Sequence, residues 1–191
     1  ESYPLGQVLF FRGFFGMVFY FFIIPRNRLH NFYLTKRIKL HFLRCLFGLI
    51  ALVAIFIALR TLPLATVVSI SFADPIFTTI FSIFFLSEKV GVYRWLAVFI
   101  GFIGILIITE PGFSSLNIYY IFPIIFCLGL SYVAIAIRQL STTEPVWLIS
   151  FYFSLSITLL SFLTIPYGWV MPDFKDFLIL SMIGIFGGVA N

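Results

Sequence analysis

The sequence predicts an all-α integral membrane protein, and three observations support this fold class. Of the 191 residues, 62% are hydrophobic and only 10% are charged, whereas soluble domains contain about 25% charged residues. The apolar residues form long runs, of the length that crosses a bilayer as a helix. The basic residues cluster between these runs, as they do in the cytoplasmic loops of membrane proteins. This composition excludes a soluble globular domain and a disordered chain.

Seven apolar segments follow one another along the chain. We predict that each is a helix, because lipid supplies no hydrogen-bond partner for the backbone. Strands of a membrane barrel would be shorter and would alternate in polarity, which these runs do not. The fourth segment is short enough to be re-entrant, but the alternation of charge between segments indicates that it spans. The segments cover residues 4–25, 43–59, 64–86, 92–109, 120–137, 147–165 and 177 to the end.

The charges between the segments predict the orientation of the chain. One side carries nine basic and two acidic residues, and six of the basic residues lie within 26–44. The other side carries two basic residues and, with Glu1, four acidic ones. By the positive-inside rule the first side is cytoplasmic, so the first segment runs inward. His30 and His41 fall in the basic stretch, where we expect them to be solvated or to face lipid headgroups.

A weak internal repeat predicts two inverted halves. Glu1 and the helix after it resemble Glu144 and its following helix, and residues 46–50 resemble residues 182–186. Five helices lie within this period, so the second copy must have the opposite orientation in the membrane. Inverted repeats are typical of secondary transporters, which bind substrate near the bilayer midplane.

Two charged residues lie deep inside predicted helices. Arg12 is about 12 Å and Asp74 about 15 Å from the outer end of its segment, at 1.5 Å per residue. Such charges are costly in lipid and face the bundle interior or water. We therefore predict that Arg12 and Asp74 form a buried ion pair or line a shared polar cavity. The alternative is a structural pair that only fixes helix packing.

A polar face surrounds the second of these charges. Ser71, Asp74, Thr78 and Ser82 fall on one side of the third segment, and Pro75 should kink this helix and free backbone carbonyl groups. Carbonyl groups freed at this depth are tolerated where they line a cavity. The pattern favours a substrate pathway. The alternative is that the hydroxyl groups bond back to their own helix.

Further along the chain, Ser131, Tyr132 and Tyr152 place polar tips at depth. The two tyrosines are candidate substrate contacts, and core packing with a single hydrogen bond is the alternative. Cys45 and Cys127 lie in apolar runs and are interpreted as small apolar side chains. Several glycines of the helices are interpreted only as points of close helix packing. No HExxH, GxSxG or phosphate-binding glycine loop is present, so we predict no enzyme activity, no cofactor and no metal site.

Six short motifs follow one another in the first part of the chain. They are ALRTLPLA at 58–65, DPIF at 74–77, LSEK at 86–89, RW at 94–95, GFIG at 101–104 and EPG at 110–112. In order and spacing they resemble the EamA-type members of the drug/metabolite transporter superfamily, and the similarity extends over about residues 12–112. Asp74 departs from the family pattern, because the position before this proline is more often uncharged.

The resemblance implies ten helices in two inverted five-helix repeats, of which about seven fall within this chain. Residues 1–119 would form the first repeat without its first helix. Residues 120–191 would begin the second repeat and stop in its third helix. Both ends look cut, so we expect a piece of a longer protein.

The predicted function is that of a secondary transporter, or permease, for a small organic metabolite in the bacterial cytoplasmic membrane. It would work by alternating access, with a coupling proton as a further partner and no nucleic acid. A homodimer is left open. The alternatives are an integral membrane enzyme and a non-transporting assembly subunit. The candidate substrate-binding or coupling residues, with the residue that kinks the helix last, are Arg12, Ser71, Asp74, Thr78, Tyr132, Tyr152 and Pro75.

Overall fold

The computed structural model describes residues 3–23, 35, 37–109 and 118–189. Within these ranges the chain forms eight α-helices and two short 3₁₀ helices, and no strand. The 3₁₀ helices are Ile118–Tyr120 and Ile165–Tyr167. The α-helices are α1 (Leu5–Ile23), α2 (Ile38–Thr61), α3 (Leu64–Ser71), α4 (Asp74–Leu86), α5 (Val92–Thr109), α6 (Ile121–Leu140), α7 (Val146–Phe162) and α8 (Phe174–Val189). The predicted all-α class is confirmed.

Helix lengths agree with a multi-pass membrane protein. Four helical stretches are long and apolar enough to cross a bilayer: Leu5–Phe22, Ile38–Thr61, Leu64–Leu86 and Ile118–Leu140. Shorter apolar helices include Val146–Phe162. The second predicted segment was placed too late, because α2 begins at Ile38 and not near residue 43. Lysine and arginine are good helix formers, so the basic residues here do not delay the start of the helix.

The described residues group into two compact units. The first unit draws on residues 1–45 and 139–191, and the second unit is residues 46–138. The long helix α2 contributes its first two turns to the first unit and its remainder to the second. Each unit therefore contains helices from both predicted repeats, and the repeat boundary at residue 119 stays a prediction.

In the first unit, α1 packs against both α7 and α8. Glycine at position 184 permits the close approach of α8, because a Cβ there would lie 2.5 Å from the carbonyl oxygen of Phe11. Phe11 also meets the ring of Phe177 edge to face, with centroids 5.6 Å apart. Small residues that let helix backbones approach are the usual means of helix packing in membranes.

The predicted outer end of this unit is held by a reciprocal pair of hydrogen bonds. The side-chain amide of Gln7, almost fully buried, donates to the carbonyl oxygen of Val170 at 2.7 Å. The backbone N–H of Val170 donates in return to Oε1 of Gln7 at 3.1 Å. Tyr3 adds a hydrogen bond to the carboxylate of Asp176 at 2.6 Å. These bonds connect the start of α1 with the segment that leads into α8.

In the second unit, α5 packs against α3 and α4, and a small apolar core contains Ala58, Leu62 and Val67. The loop after α4 is bound to α6 through Glu88, which accepts a hydrogen bond from Arg138 at 2.6 Å. That bond, more than the more distant charge of Arg94, holds the pKa of Glu88 below its usual range. Because all three side chains are solvent-exposed at least in part, this contact positions the loop more than it stabilises the fold.

The close approach of α1 and α8 predicts that replacing Gly184 by alanine destabilises the protein. The added Cβ would overlap the backbone of Phe11, and overpacking of this kind costs about 1–3 kcal/mol. Gly101→Ala is the matched control, since a Cβ there meets no described atom within 4 Å. Thermal unfolding in detergent should show a lowered midpoint for Gly184→Ala only. Equal midpoints in the two variants would contradict the tight α1–α8 contact.

Candidate functional site

The third predicted span is a broken helix, and the break positions the candidate site. α3 ends at Ser71 and α4 begins at Asp74, with Phe72 and Ala73 in a turn between them. We expected a kink at Pro75, and this proline lies in the first turn of α4, where its missing N–H is not needed. The N–H groups of the turn bond to the carbonyl oxygens of Val68, Ser69 and Ile70, whereas no described backbone N–H bonds to that of Ser71.

A cysteine of α6 bonds to the last two carbonyl groups of α3. Cys127 is fully buried, and its Sγ lies 3.6 Å from the carbonyl oxygen of Ile70 and 3.7 Å from that of Ser71. The sequence interpretation of Cys127 as a small apolar side chain is therefore incomplete, because its thiol acts as a weak donor. The contact brings one face of α6 against the break.

The next residue on that face of α6 holds the carboxylate of Asp74. Ser131 is fully buried, and its hydroxyl donates to Oδ1 of Asp74 at 2.8 Å. Thr78 lies one turn further along α4, and its hydroxyl is 3.1 Å from Ser131 Oγ and 3.4 Å from Asp74 Oδ1. Each side-chain bond that the structure describes for Asp74 goes to Oδ1. The carboxylate is thus oriented through one oxygen, and Oδ2 is the atom through which it would meet a proton or a ligand.

We name this group of Asp74, Thr78 and Ser131 the Asp74 site. Of the predicted polar face, only Asp74 and Thr78 belong to it. Ser71 donates to the carbonyl oxygen of Val67 at 2.8 Å, so its hydroxyl bonds back to its own helix. The same is true of Ser82, which donates to the carbonyl oxygen of Thr79. The structure therefore divides the predicted face into two site residues and two residues that satisfy the backbone of their own helix.

Tyr132 follows Ser131 but belongs to an aromatic cluster. Its ring lies 4.3 Å from the ring of Phe47 and 5.6 Å from that of Phe85, centroid to centroid. This geometry matches the packing alternative for Tyr132. Tyr132 stays a candidate substrate contact, but nothing in its surroundings favours that role.

Arg12 belongs to the first unit, whereas Asp74 belongs to the second. The side chain of Arg12 lies along α8, where a Cβ on Gly187 would be 3.3 Å from its Cζ atom. Its Nε is buried and has no hydrogen-bond partner among the residues that the structure describes. The ion pair between Arg12 and Asp74 stays a prediction.

Tyr152, the remaining candidate, lies beside a buried polar group in the first unit. Its ring is 4.8 Å from the ring of His41. His41 is almost fully buried, and its Nε2 bonds to Oε2 of Glu144. Oε1 of Glu144 accepts a hydrogen bond from Thr35 at 2.5 Å. The expectation of a solvated or headgroup-facing His41 is therefore wrong, whereas His30 lies outside the described residues.

Arg44 is a second buried polar residue near the start of α2. His41 and Arg44 are three residues apart and so share a helix face. The sequence does not single out His41 and Arg44, because the basic residues around them predict a loop. In the structure α2 begins at Ile38, so both side chains lie inside a spanning helix. A sequence method that placed this helix start correctly would have identified both residues as buried candidates. Within the described ranges, no three His, Cys, Asp or Glu side chains come together.

Two cavities of the second unit lie along α5. One of about 540 Å³ is lined by apolar side chains, including Trp95 and Phe99. A second of about 320 Å³ reaches Pro75 and includes Arg94 as its charged residue. Neither of these two cavities is lined by Asp74 or Ser131.

Comparison with known proteins finds a family profile and several named relatives that match this chain. A profile described as the EamA-like transporter family matches residues 1–110, which is more than half of the chain. No solved structure gives a significant match.

Named relatives match most of the chain. The chain is 25% identical over 184 residues to an S-adenosylmethionine uptake transporter of Rickettsia bellii, covering 96% of this chain and 62% of the relative. It is 28% identical over 190 residues to the pseudopaline exporter CntI of Pseudomonas aeruginosa, covering 95% and 64% respectively. A riboflavin transporter of Brucella anthropi is 30% identical over 163 residues, covering 82% and 57%. The chain thus spans less than two thirds of the length of these relatives.

The Asp74 site predicts a specific coupling between Ser131 and Asp74. Ser131→Ala removes the donor to Oδ1, and hydrogen bonds to charged groups contribute about 1.5–3 kcal/mol. In an Asp74→Asn background the same substitution should cost less, because the acceptor is no longer charged. Thermal unfolding of the double-mutant cycle measures this difference.

Ser71→Ala is the control for this cycle, since its hydroxyl bonds only to Val67 in the same helix. It should be nearly neutral in both backgrounds. A cost of Ser131→Ala that is the same with aspartate and asparagine at position 74 would disprove the hydrogen bond to the carboxylate.

Proposed function

This chain belongs to the EamA-like transporter family, and from that premise we propose that the complete protein is a secondary transporter. It moves a small organic metabolite across the cytoplasmic membrane of a bacterium by alternating access. The observation that carries the proposal is the broken third span, with a carboxylate held at the break by hydroxyl groups. Interrupted helices with polar groups at mid-membrane are the substrate and ion sites of secondary transporters.

The Asp74 site has the composition of a proton or substrate site. An ionisable residue within a span is costly, and such residues are retained where they serve a pathway. Asp74 would take up a proton or meet a cationic group through Oδ2, while Ser131 and Thr78 hold Oδ1. Pro75 favours the break that makes this approach possible, because it cannot donate to the end of α3.

The substrate is proposed only as a small organic metabolite. The relatives are named for three different solutes, and their names include both an uptake transporter and an exporter. We therefore transfer the class of activity from the relatives and neither a solute nor a direction. Since the relatives are all named as transporters, we propose transport in preference to enzyme catalysis or a purely structural role.

The proposal is tested by flux of the complete protein in proteoliposomes. We expect uptake or efflux of at least one compound from a panel of amino acids, vitamins and nucleotide-like metabolites, and an increase when a pH gradient is imposed. Ser71→Ala should transport as well as the unchanged protein. Absence of flux for every compound, with the protein shown to be folded by thermal unfolding, would disprove the proposal.

The predicted pairing of Arg12 with Asp74 is tested in the same assay. We expect Arg12→Gln and Asp74→Asn each to reduce flux about tenfold. Contacting groups are coupled by about 0.5–3 kcal/mol, and about 1.4 kcal/mol corresponds to a factor of ten. If the residues act as one unit, the double variant is no worse than the more impaired single variant. Losses that multiply would show that Arg12 and Asp74 act separately.

A further inference from the structure

Arg44 is a buried cation that has no carboxylate partner among the described residues. Its side chain is only 1% exposed, although it lies six residues inside α2. Two of its three guanidinium nitrogens, Nε and Nη1, are buried and have no hydrogen-bond partner among the described residues. A buried charge needs a partner of opposite sign, because neither lipid nor the protein interior replaces its hydration shell.

Stacking on an aromatic ring accounts for one surface of this guanidinium. Cζ of Arg44 lies 3.9 Å from the centroid of the Phe153 ring. A cation over the face of a ring is attracted by its π electrons, but the N–H groups of a stacked guanidinium lie in its plane and still require acceptors. Phe153 therefore holds the guanidinium in one orientation and leaves the hydrogen bonds of Nε and Nη1 to be made.

The acidic residue of the first unit on the predicted cytoplasmic side is already engaged. Glu144 bonds to His41 through Oε2 and accepts a hydrogen bond from Thr35 through Oε1. The other acidic residue of the predicted cytoplasmic side, Glu88, belongs to the second unit and pairs with Arg138. Residues 24–34 and 36, which precede α2, contain no aspartate or glutamate. This side of the chain therefore offers Arg44 no carboxylate of its own.

From these observations we propose that Arg44 binds an oxygen anion, a carboxylate or a phosphate group, that comes from outside the described chain. Guanidinium groups form strong, charge-assisted hydrogen bonds with such groups. The anion would bond to Nε and Nη1 in the plane of the guanidinium, with Phe153 beneath it. It would belong either to a soluble metabolite or to a lipid headgroup. That Arg44 binds an anion does not depend on the proposed function. That the anion is part of the transported solute does rest on it.

The position of Arg44 distinguishes this site from the Asp74 site. Arg44 lies about 9 Å from the start of α2, at 1.5 Å per residue, and therefore near the predicted cytoplasmic end. Asp74 lies at the middle of its span and belongs to the other unit. The Arg44 site and the Asp74 site therefore belong to different units, and they would bind groups of opposite charge.

The test measures binding by thermal unfolding of the complete protein in nanodiscs. In neutral phosphatidylcholine, sodium succinate or sodium phosphate should raise the unfolding midpoint by several degrees relative to sodium chloride at the same ionic strength. Arg44→Met should abolish this rise, and Lys39→Met, an exposed basic residue of the same helix, should keep it. A rise that is produced by phosphatidylglycerol in the nanodisc, and not by soluble anions, assigns the anion to lipid.

A binding role and a structural role differ when no anion is present. Replacing an uncompensated buried charge by an apolar side chain is often neutral or stabilising. We therefore expect Arg44→Met without anions to unfold at the same temperature as the unchanged protein or above it. An arginine needed for packing would instead lower the midpoint in every condition, and that result combined with no response to any anion overturns the site.

A conservative exchange keeps the test decisive where Arg44→Met does not fold. Arg44→Lys retains the charge but loses the planar array of donors, so it should lose at least half of the anion-induced rise. Lys39→Arg is its matched control and should keep all of it. Equal responses in the two variants overturn the site. If the protein transports a compound but shows no anion-induced rise that depends on Arg44, the anion site is overturned and the proposed function stands. If the rise depends on Arg44 but no compound is transported, the anion site stands and the proposed function is overturned.

Discussion

The interruption of the third span is the feature on which the second unit depends. Within the turn, the N–H of Ala73 bonds to the carbonyl oxygen of Ile70, but that of Ser71 has no described backbone donor. Lipid contains no water to bond to it, so a neighbouring helix must supply donors. α6 supplies them from one face: Cys127 reaches the carbonyl oxygens of Ile70 and Ser71, and Ser131, one turn later, reaches Asp74. The face of α6 that repairs the break is therefore also the face that holds the carboxylate. The packing of α6 against the break therefore both satisfies the broken helix and fixes the geometry of the Asp74 site.

The first unit also has to satisfy polar groups inside the membrane, and it does so with other contacts. There α1 and α8 approach closely at Gly184, and Tyr20 of α1 donates a hydrogen bond to the carbonyl oxygen of Gly188 in α8. Further polar side chains of this unit gather at the start of α2, where Glu144 bonds to His41 and Thr35. The carboxylate of the Asp74 site has its donors in the chain, whereas the guanidinium of Arg44 lacks acceptors among the described residues. The protein itself therefore orients Asp74, whereas the anion that we propose for Arg44 would supply the acceptors that the described residues lack.

Composition and segment length were enough to predict the all-α membrane fold, because lipid permits few other backbone arrangements. Helix starts were less accessible, since α2 extends through basic residues that pattern alone assigns to a loop. Within the site, the spacing of Asp74 and Thr78 predicted a shared face. Periodicity could not show that Ser131, more than fifty residues away, would supply the donor. The pairing of His41 with Glu144 joins residues 103 positions apart, and a single sequence contains no signal for such a contact.

The basic stretch before α2 shows why burial changes the meaning of a charge. Positive residues that set membrane orientation need only water or headgroups around them, and the exposed Arg37 and Lys39 meet that requirement. Arg44 belongs to the same stretch by sequence, but at 1% exposure it meets neither water nor headgroups in the described structure. Orientation of the chain therefore does not explain its charge. Since a neutral side chain would fill the same space at lower cost, the retained guanidinium is best explained by an anion that it binds.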